Sequence, residues 1–448
     1  MDTPIYDFLR KYAAGAPLRC HMPGHKGYAP LPELGELYQL DITEIAGADS
    51  LFEANGIICR SERNMSSLYD TADTLYSAGG STLCIQAMLT AMKHEERRII
   101  AVRNVHRSFL NAAALLGLDV EWLMPEYSGG ILSGAIDLTA AERMLRQAGK
   151  ACLYVTSPDY TGKVADIPAL SELAHRYGAP LLVDNAHGAH LRFTEKNTHP
   201  IALGADMCCD SAHKMLPALT GAAMLHISHT AAHYAGKMRQ YMGLFGSTSP
   251  SYLIMASLDL CCRYISDSIE GDIRRNTKKL RELRSHFSGR LRFAEGDIFH
   301  ISVLAAESGY SGCELAELLR IRGIECEYAD EELLILLMSP MSRSEEYERL
   351  TDGLEAALKA AVREPVRLPP VTPELPERAM SIREAVFAPA EEIPSDEAEG
   401  RICGAVNVPC PPAVPIAASG EIIDRRCIDI LKRYGIQTIN VVKNKNFS

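Results

Sequence analysis

Between about residues 66 and 230 short apolar runs alternate with stretches of helical period, and nothing else in the chain narrows its fold as much. Arg98 to Val102, Ala151 to Thr156 and Pro180 to Asp184 are apolar runs of strand length. Thr82 to His94 places Leu83, Ile85, Ala87, Met88, Ala91 and Met92 as a helix would. Residues 107–116 and 168–177 also read as helices, the second stopped by Gly178. Strands this short and apolar are buried on both faces, which calls for an α/β fold whose mostly parallel sheet is covered by helices. Ligands in such sheets bind beyond the carboxyl ends of the strands. Asp184 and the loop leading to His106 fall at such ends.

The rest of the chain divides around that region. Residues 1–65 read as an irregular N-terminal arm, and residues 66–260 as the large domain. A long helical stretch from Tyr252 to Phe287 is interrupted near Gly271. Residues 261–364 form a smaller α+β domain, with strands at His300 to Ala305 and Glu332 to Met338 and helices near 313–322 and 344–361. Pro365, Pro369, Pro370, Pro373 and Pro376 mark a linker over 365–376. The C-terminal domain, 377–448, holds the stiff string Pro409-Cys410-Pro411-Pro412-Ala413-Val414-Pro415 and a helix near 421–434.

Composition excludes several functions. The 448 residues are 47% apolar and 23% charged, ordinary for a globular protein, with a net charge of −11. Nucleic acid and anionic membrane surfaces both want basic patches, so neither is an expected partner. No apolar run is long enough to span a bilayer. The first residues lack the charged and apolar regions of a secretory leader. The 13 cysteines include adjacent pairs, Cys208-Cys209 and Cys261-Cys262, and no CxxC pair. Free, mostly buried thiols in a reducing cytoplasm are the expectation.

The candidate chemistry is a series of groups in one α/β region. Ser77-Ala78-Gly79-Gly80-Ser81-Thr82 precedes the first strong helix, and Gly80, Ser81 and Thr82 would offer amides and hydroxyls to an anion at its N-terminus. A plain Gly-Gly turn with a hydroxyl cap reads the same. His106 follows a strand, where an imidazole can stack on a planar ring or simply face solvent. Asp184 ends four apolar positions and is costly to bury unpaired. A pyridinium N–H would pair with it; a helix cap is the alternative. His187 and His190 stand three apart, but Gly188 and the lack of a near third ligand leave no metal site expected. Ser211, His213 and Lys214 come together in Ser211-Ala212-His213-Lys214. A lysine amine bonds the aldehyde carbon of pyridoxal 5′-phosphate (PLP), and burial with a nearby imidazole would favour that chemistry. The order is glycine-hydroxyl loop, ring-side histidine, strand-end aspartate, then hydroxyl-x-His-Lys, which is more telling than any member.

The chain resembles the Orn/Lys/Arg decarboxylases of PLP fold type I along nearly its whole length. The resemblance rests on His21-Met22-Pro23-Gly24-His25-Lys26-Gly27, on Asp41-Ile42-Thr43-Glu44 with Asp49-Ser50-Leu51, and on Arg103-Asn104-Val105-His106-Arg107-Ser108. It continues through Ser157-Pro158-Asp159-Tyr160-Thr161-Gly162, Asp184-Asn185-Ala186-His187-Gly188-Ala189-His190, Ser211 to Thr220, Ser249-Pro250-Ser251-Tyr252, Glu397 to Ile402 and Pro409-Cys410-Pro411-Pro412.

The resemblance implies an aspartate-aminotransferase-like large domain that binds PLP over 66–260, in the short form without an N-terminal regulatory domain. It implies that Lys214 forms the Schiff base, that Asp184 holds the pyridinium nitrogen, that His106 stacks on the ring and that His187 lines it. Gly80, Ser81, Thr82, Ser211 and His213 would hold the phosphate, and His213 or Lys214 would return the proton. A homodimer with a shared active site is implied, Ser249 to Tyr252 serving the partner's phosphate. The implied substrate is lysine, arginine or ornithine, decarboxylated to an amine of polyamine metabolism. Glu44, Asp49 and Glu397 are candidates to meet its cationic side chain. The alternatives are another fold type I enzyme, an aminotransferase or lyase, or a PLP-binding homologue with lost activity; an aminotransferase would clamp the substrate carboxylate, with Arg401 as the one obvious candidate. The chain departs from the family pattern at Gly79, Asn185, Arg107, Cys410 and Ala413, which stand where asparagine, glutamate, lysine, tyrosine and glycine are usual.

Overall fold

The structure is a computed structural model describing residues 1–28, 32–127, 134–361, 363, 373–404 and 414–444. Residues 365–372 of the expected linker and the loop with Cys410 and Ala413 lie outside the described residues. The chain forms two compact units, Met1–Glu95 with Pro180–Arg274, and Glu96–Ala179 with Arg275–Ser448.

In the first unit four strands lie in the order Asp73–Ser77, Ala223–Ile227, Met207–Asp210, Leu181–Asp184. The first two pairings are antiparallel and the third is parallel. Two reversals in succession leave Asp73–Ser77, Met207–Asp210 and Leu181–Asp184 pointing the same way. Their last residues, Ser77, Asp210 and Asp184, therefore end on one edge of the sheet. The antiparallel Ala223–Ile227 strand starts on that edge. Its direction was not legible in the sequence, because a run buried at all five positions looks alike either way round.

At the Ser77 end the chain turns through Gly80, at φ +70°, where glycine carries no steric cost. The Gly80 N–H donates to Gly221 O at 2.8 Å, and the helix Gly80–His94 begins. It buries Leu83, Cys84, Ile85, Met88 and Met92. The expected irregular arm is corrected at its start, where Pro4–Ala14 is an α-helix. Proline suits a first helical turn, whose N–H would lack an intrahelical partner anyway. The helix buries Ile5 and Leu9 and packs against the helices Ile57–Tyr69 and Tyr252–Asp267. The interruption expected near Gly271 falls instead at Ser268, between Tyr252–Asp267 and Ile269–Phe287. A Cβ at Gly271 would meet nothing within 4 Å, so the helix runs through it.

In the second unit Ala151–Thr156, Arg98–Val102 and Val120–Leu123 form a parallel run in that order. Helices Arg107–Leu116, Leu138–Ala148 and Ile167–Arg176 connect or follow these strands. Gly178, at φ +64°, terminates the last of these helices as its sequence position predicts. Leu333–Leu337 pairs antiparallel with His300–Leu304 on one side and Tyr328–Ala329 on the other. Ala390–Pro394 pairs antiparallel with Thr438–Val442.

Candidate functional site

The site is built on the edge of the first unit where Ser77, Asp184 and Asp210 end. The parallel register sets Asp184 opposite Cys209. Side chains alternate between sheet faces along a strand, so Asp184 and Cys209 share one face. The Cys209 thiol lies 3.6 Å from Asp184 Oδ1. The Asp184 carboxylate is 2% exposed and also accepts the Ala186 N–H at 3.3 Å.

Beyond Asp210 the chain makes one helical turn, Ala212–Met215, that presents Lys214. The Lys214 amine is 2.9 Å from His187 Nε2, so that imidazole accepts from the lysine. The Lys214 side chain is exposed, so the burial expected to activate it is not found. Its imidazole neighbour is His187 rather than the adjacent His213. His213 Nδ1 donates to Ala222 O at 3.0 Å, which assigns the proton to Nδ1 and leaves Nε2 as the basic nitrogen. The Ser211 hydroxyl donates to the Ser81 hydroxyl at 3.0 Å. Two segments 130 residues apart thus place hydroxyls together at the N-terminus of Gly80–His94. A Cβ at Gly80 would meet nothing within 4 Å, so space is open there. Thr82 follows on the first turn of that helix, exposed.

The opposite sheet face carries a cluster that the sequence reading missed. Asn185 and Asp210, one residue beyond the Asp184–Cys209 pair, are both fully buried. Asn185 Nδ2 donates to Asp210 Oδ1 at 2.6 Å. Asp210 Oδ2 faces His199 Nε2 at 3.1 Å and His226 Nε2 at 3.3 Å. His226 Nδ1 meets the Thr74 hydroxyl at 2.9 Å, and the Tyr69 ring stacks on His226 at 4.4 Å. Burial pushes Asp210 up, but His199 and His226 outweigh it and hold the carboxyl below its usual range. Burial drives the His226 pKa down, against the pull of Asp210. His199, Cys208 and Asp210 have potential ligand atoms within 4.8 Å of one another. Both Asp210 oxygens are already engaged, and burial pushes the Cys208 thiol far up, so hydrogen bonds account for the cluster. The only sequence signal was an aspartate ending a second apolar strand.

His106 stands in the second unit and caps the helix Arg107–Leu116. Its Nδ1 accepts the Ser108 N–H at 3.2 Å and lies 2.8 Å from the Ser108 hydroxyl. The same motif begins with Arg103, which is 1% exposed. Arg103 donates two bonds of 2.7 Å to the Glu421 carboxylate and one of 3.0 Å to Pro415 O, with its guanidinium 4.7 Å from the Trp122 ring centre.

Other candidates have structural work. Asp49 accepts the N–H groups of Ser50, Asn55, Gly56 and Ile58 at 2.7–3.1 Å. Burial opposes them, yet these donors bring its carboxyl below the usual range, and they tie it to the start of the helix Ile57–Tyr69. Arg401 donates to Glu391 at 2.7 Å and to Val442 O at 3.0 Å, so a substrate clamp would have to break both. His21 pairs with the Tyr12 hydroxyl at 2.7 Å and His25 with Asp41 at 3.1 Å. Glu44 and Glu397 are exposed. Ser251 caps the helix Tyr252–Asp267, and the Tyr252 hydroxyl donates to Asp49 O at 2.7 Å.

Residues 3–303 match the family described as Orn/Lys/Arg decarboxylase, major domain. An arginine decarboxylase of Bacillus subtilis is 30% identical over 96% of this chain and 93% of its own length. The structure of a lysine decarboxylase, LdcF, of Francisella novicida superposes with a TM-score of 0.82 at 16% identity, over 98% of this chain and 81% of that one. A looser likeness, TM-score 0.56 at 12% identity over 70% of this chain and 80% of the other, is to a structure of SPT with PLP. Among the described residues no helix is long and apolar enough to cross a membrane. The fold is that of the PLP fold type I enzymes, and the chain belongs to the Orn/Lys/Arg decarboxylase family as an amino-acid decarboxylase.

Proposed function

We propose that the protein decarboxylates a basic amino acid (lysine, arginine or ornithine) to the corresponding amine, with PLP held on Lys214. One observation carries the reading. Asp184 and Lys214 leave the carboxyl ends of two adjacent parallel strands, beside the Ser81–Ser211 hydroxyl pair at a helix N-terminus. A buried carboxylate, an accessible amine and an anion cradle are the donor set that PLP requires. When bound, PLP supplies an electron sink for the pair released as carbon dioxide leaves.

The protein's own residues do the rest. The buried Asp184 carboxyl group would pair with a protonated ring nitrogen. Ser81, Ser211, Thr82 and the first N–H groups of Gly80–His94 take the phosphate, where the helix dipole favours negative charge. His187 Nε2 takes a proton from the Lys214 amine and returns it. His213, with its proton fixed on Nδ1, has Nε2 left to take up a proton and then hand it on. His106 supplies a ring face, and Glu44 and Glu397 are acids for a cationic side chain. The resemblance supports a cytoplasmic homodimer with shared sites, Ser249 to Tyr252 reaching the partner's phosphate, and a place in polyamine metabolism. The change of sequence pattern along the chain supports the domain division at residues 65, 260, 364 and 376.

The test is incubation with arginine, lysine and ornithine separately. Carbon dioxide with agmatine, cadaverine or putrescine is expected, and Lys214→Ala abolishes it. The Bacillus subtilis relative puts arginine first. No amine from any of the three, with keto-acid formation when an amino acceptor is added, would assign an aminotransferase instead.

A further inference from the structure

We propose that Asp210, through its bond to Asn185, is a positioning residue for the decarboxylation, locking the register of the strand that carries Asp184 against the strand that leads to Lys214. This role rests on the function proposed above.

The need for a lock follows from the strands themselves. Leu182 and Val183 face Met207 and Cys208, with Asp184 opposite Cys209, and all four of these apolar residues are fully buried. With both faces apolar, a slip of one residue buries as much apolar surface as the native pairing. Hydrophobic pattern therefore sets register only weakly here. A slip of one would turn Asp184 to the wrong face and shift Ser211 and Lys214 along the edge. The first polar pair after the apolar run is Asn185 with Asp210, bonded at 2.6 Å. The pair follows directly on the Asp184–Cys209 register, so a slip of one residue would separate its two members.

The surroundings make that bond hard to satisfy otherwise. Asp210 Oδ2 is engaged by His199, and the backbone N–H of Asn185 donates to Cys209 O at 3.0 Å. A Cβ on Gly188 would come within 2.0 Å of Asn185 Oδ1, so the turn toward His187 is shaped around this asparagine. A buried polar pair contributes little net stability compared with apolar residues of the same volume, and its best-attested use is to specify register.

The test exchanges the two groups. Asn185→Asp sets two buried carboxylates against each other, Asn185→Ala removes the bond without adding charge, and the double exchange Asn185→Asp with Asp210→Asn restores an amide–carboxylate pair. Borohydride reduction of each PLP-loaded protein counts the sites with cofactor on Lys214, and kcat is expressed per labelled site. Asn185→Ala is expected to lower kcat about a hundredfold with KM little changed, the scale of a displaced catalytic group, and Asn185→Asp more. The double exchange should recover to within about tenfold of wild type. Single variants with wild-type kcat per labelled site, or a double exchange as impaired as its singles combined, would overturn the positioning role alone. Wild-type protein without a Lys214 adduct would overturn the function proposed above, and the positioning role with it.

Discussion

The two units each bury a charged group behind a strand end, and they settle it differently. In the second unit Arg103 and Glu421 are opposite charges in a two-bond pair, 1% and 4% exposed, joining positions 318 residues apart. In the first unit Asp210 lies among Asn185, His199 and His226. The first arrangement closes a long loop of chain, while the second fixes two adjacent strands. A third carboxylate shows what decides the charge. Among the described residues Asp259 accepts from neutral donors, Ile5 N–H, Tyr6 N–H and the Ser61 hydroxyl, at 2.6–2.9 Å. Burial wins there and raises Asp259 to about 6, whereas two imidazoles pull Asp210 down.

The largest effect expected is at the ion pair. Glu421→Ala leaves the Arg103 guanidinium buried without its counter-charge and should cost about 3–5 kcal/mol of stability in urea unfolding. A loss under about 1 kcal/mol would mean that Arg103 finds water, and would erase the contrast between the units. The second effect sharpens the other side. Gly188→Ala presses on Asn185 and should cost about 1–3 kcal/mol by overpacking, while reducing the share of Lys214 labelled by PLP and borohydride. Unchanged labelling would show that the turn tolerates displacement.

The smallest effect is a pH slope. Asp259 has a folded pKa of about 6 against an ordinary 3.8, so the folded state holds the proton more tightly. The stability that this provides is complete below about 3.8 and is lost as pH rises through about 6. Asp259→Asn removes that titration, and its melting temperature should fall less than that of wild type across this window. Parallel curves would contradict a burial-raised Asp259.

The difference between the units also explains what the sequence disclosed. Strands Arg98–Val102 and Ala151–Thr156 and helix Arg107–Leu116 match their expected bounds because each is an uninterrupted local pattern. Asp184, Ser211 and Lys214 stood out because each follows an apolar run or sits in a dense motif. The Asp210 cluster was invisible because His226 joins it through sheet pairing and His199 from the turn before Pro200–Leu203. Arg103 was quoted only as the start of a motif, since nothing near it in sequence announces Glu421. The helix Pro4–Ala14 was obscured by the prolines and glycines that follow it, although Pro4 itself marks its start. The antiparallel strand Ala223–Ile227 had no signal of direction at all.

Every functional claim depends on Lys214 carrying the cofactor, and chemical trapping tests that directly. The protein is loaded with PLP, reduced with borohydride, digested and mapped by mass spectrometry. The account predicts one phosphopyridoxyl group, on Lys214, together with a visible absorption band before reduction that Lys214→Ala lacks. A group found on another lysine, or a band that survives in Lys214→Ala, would contradict it.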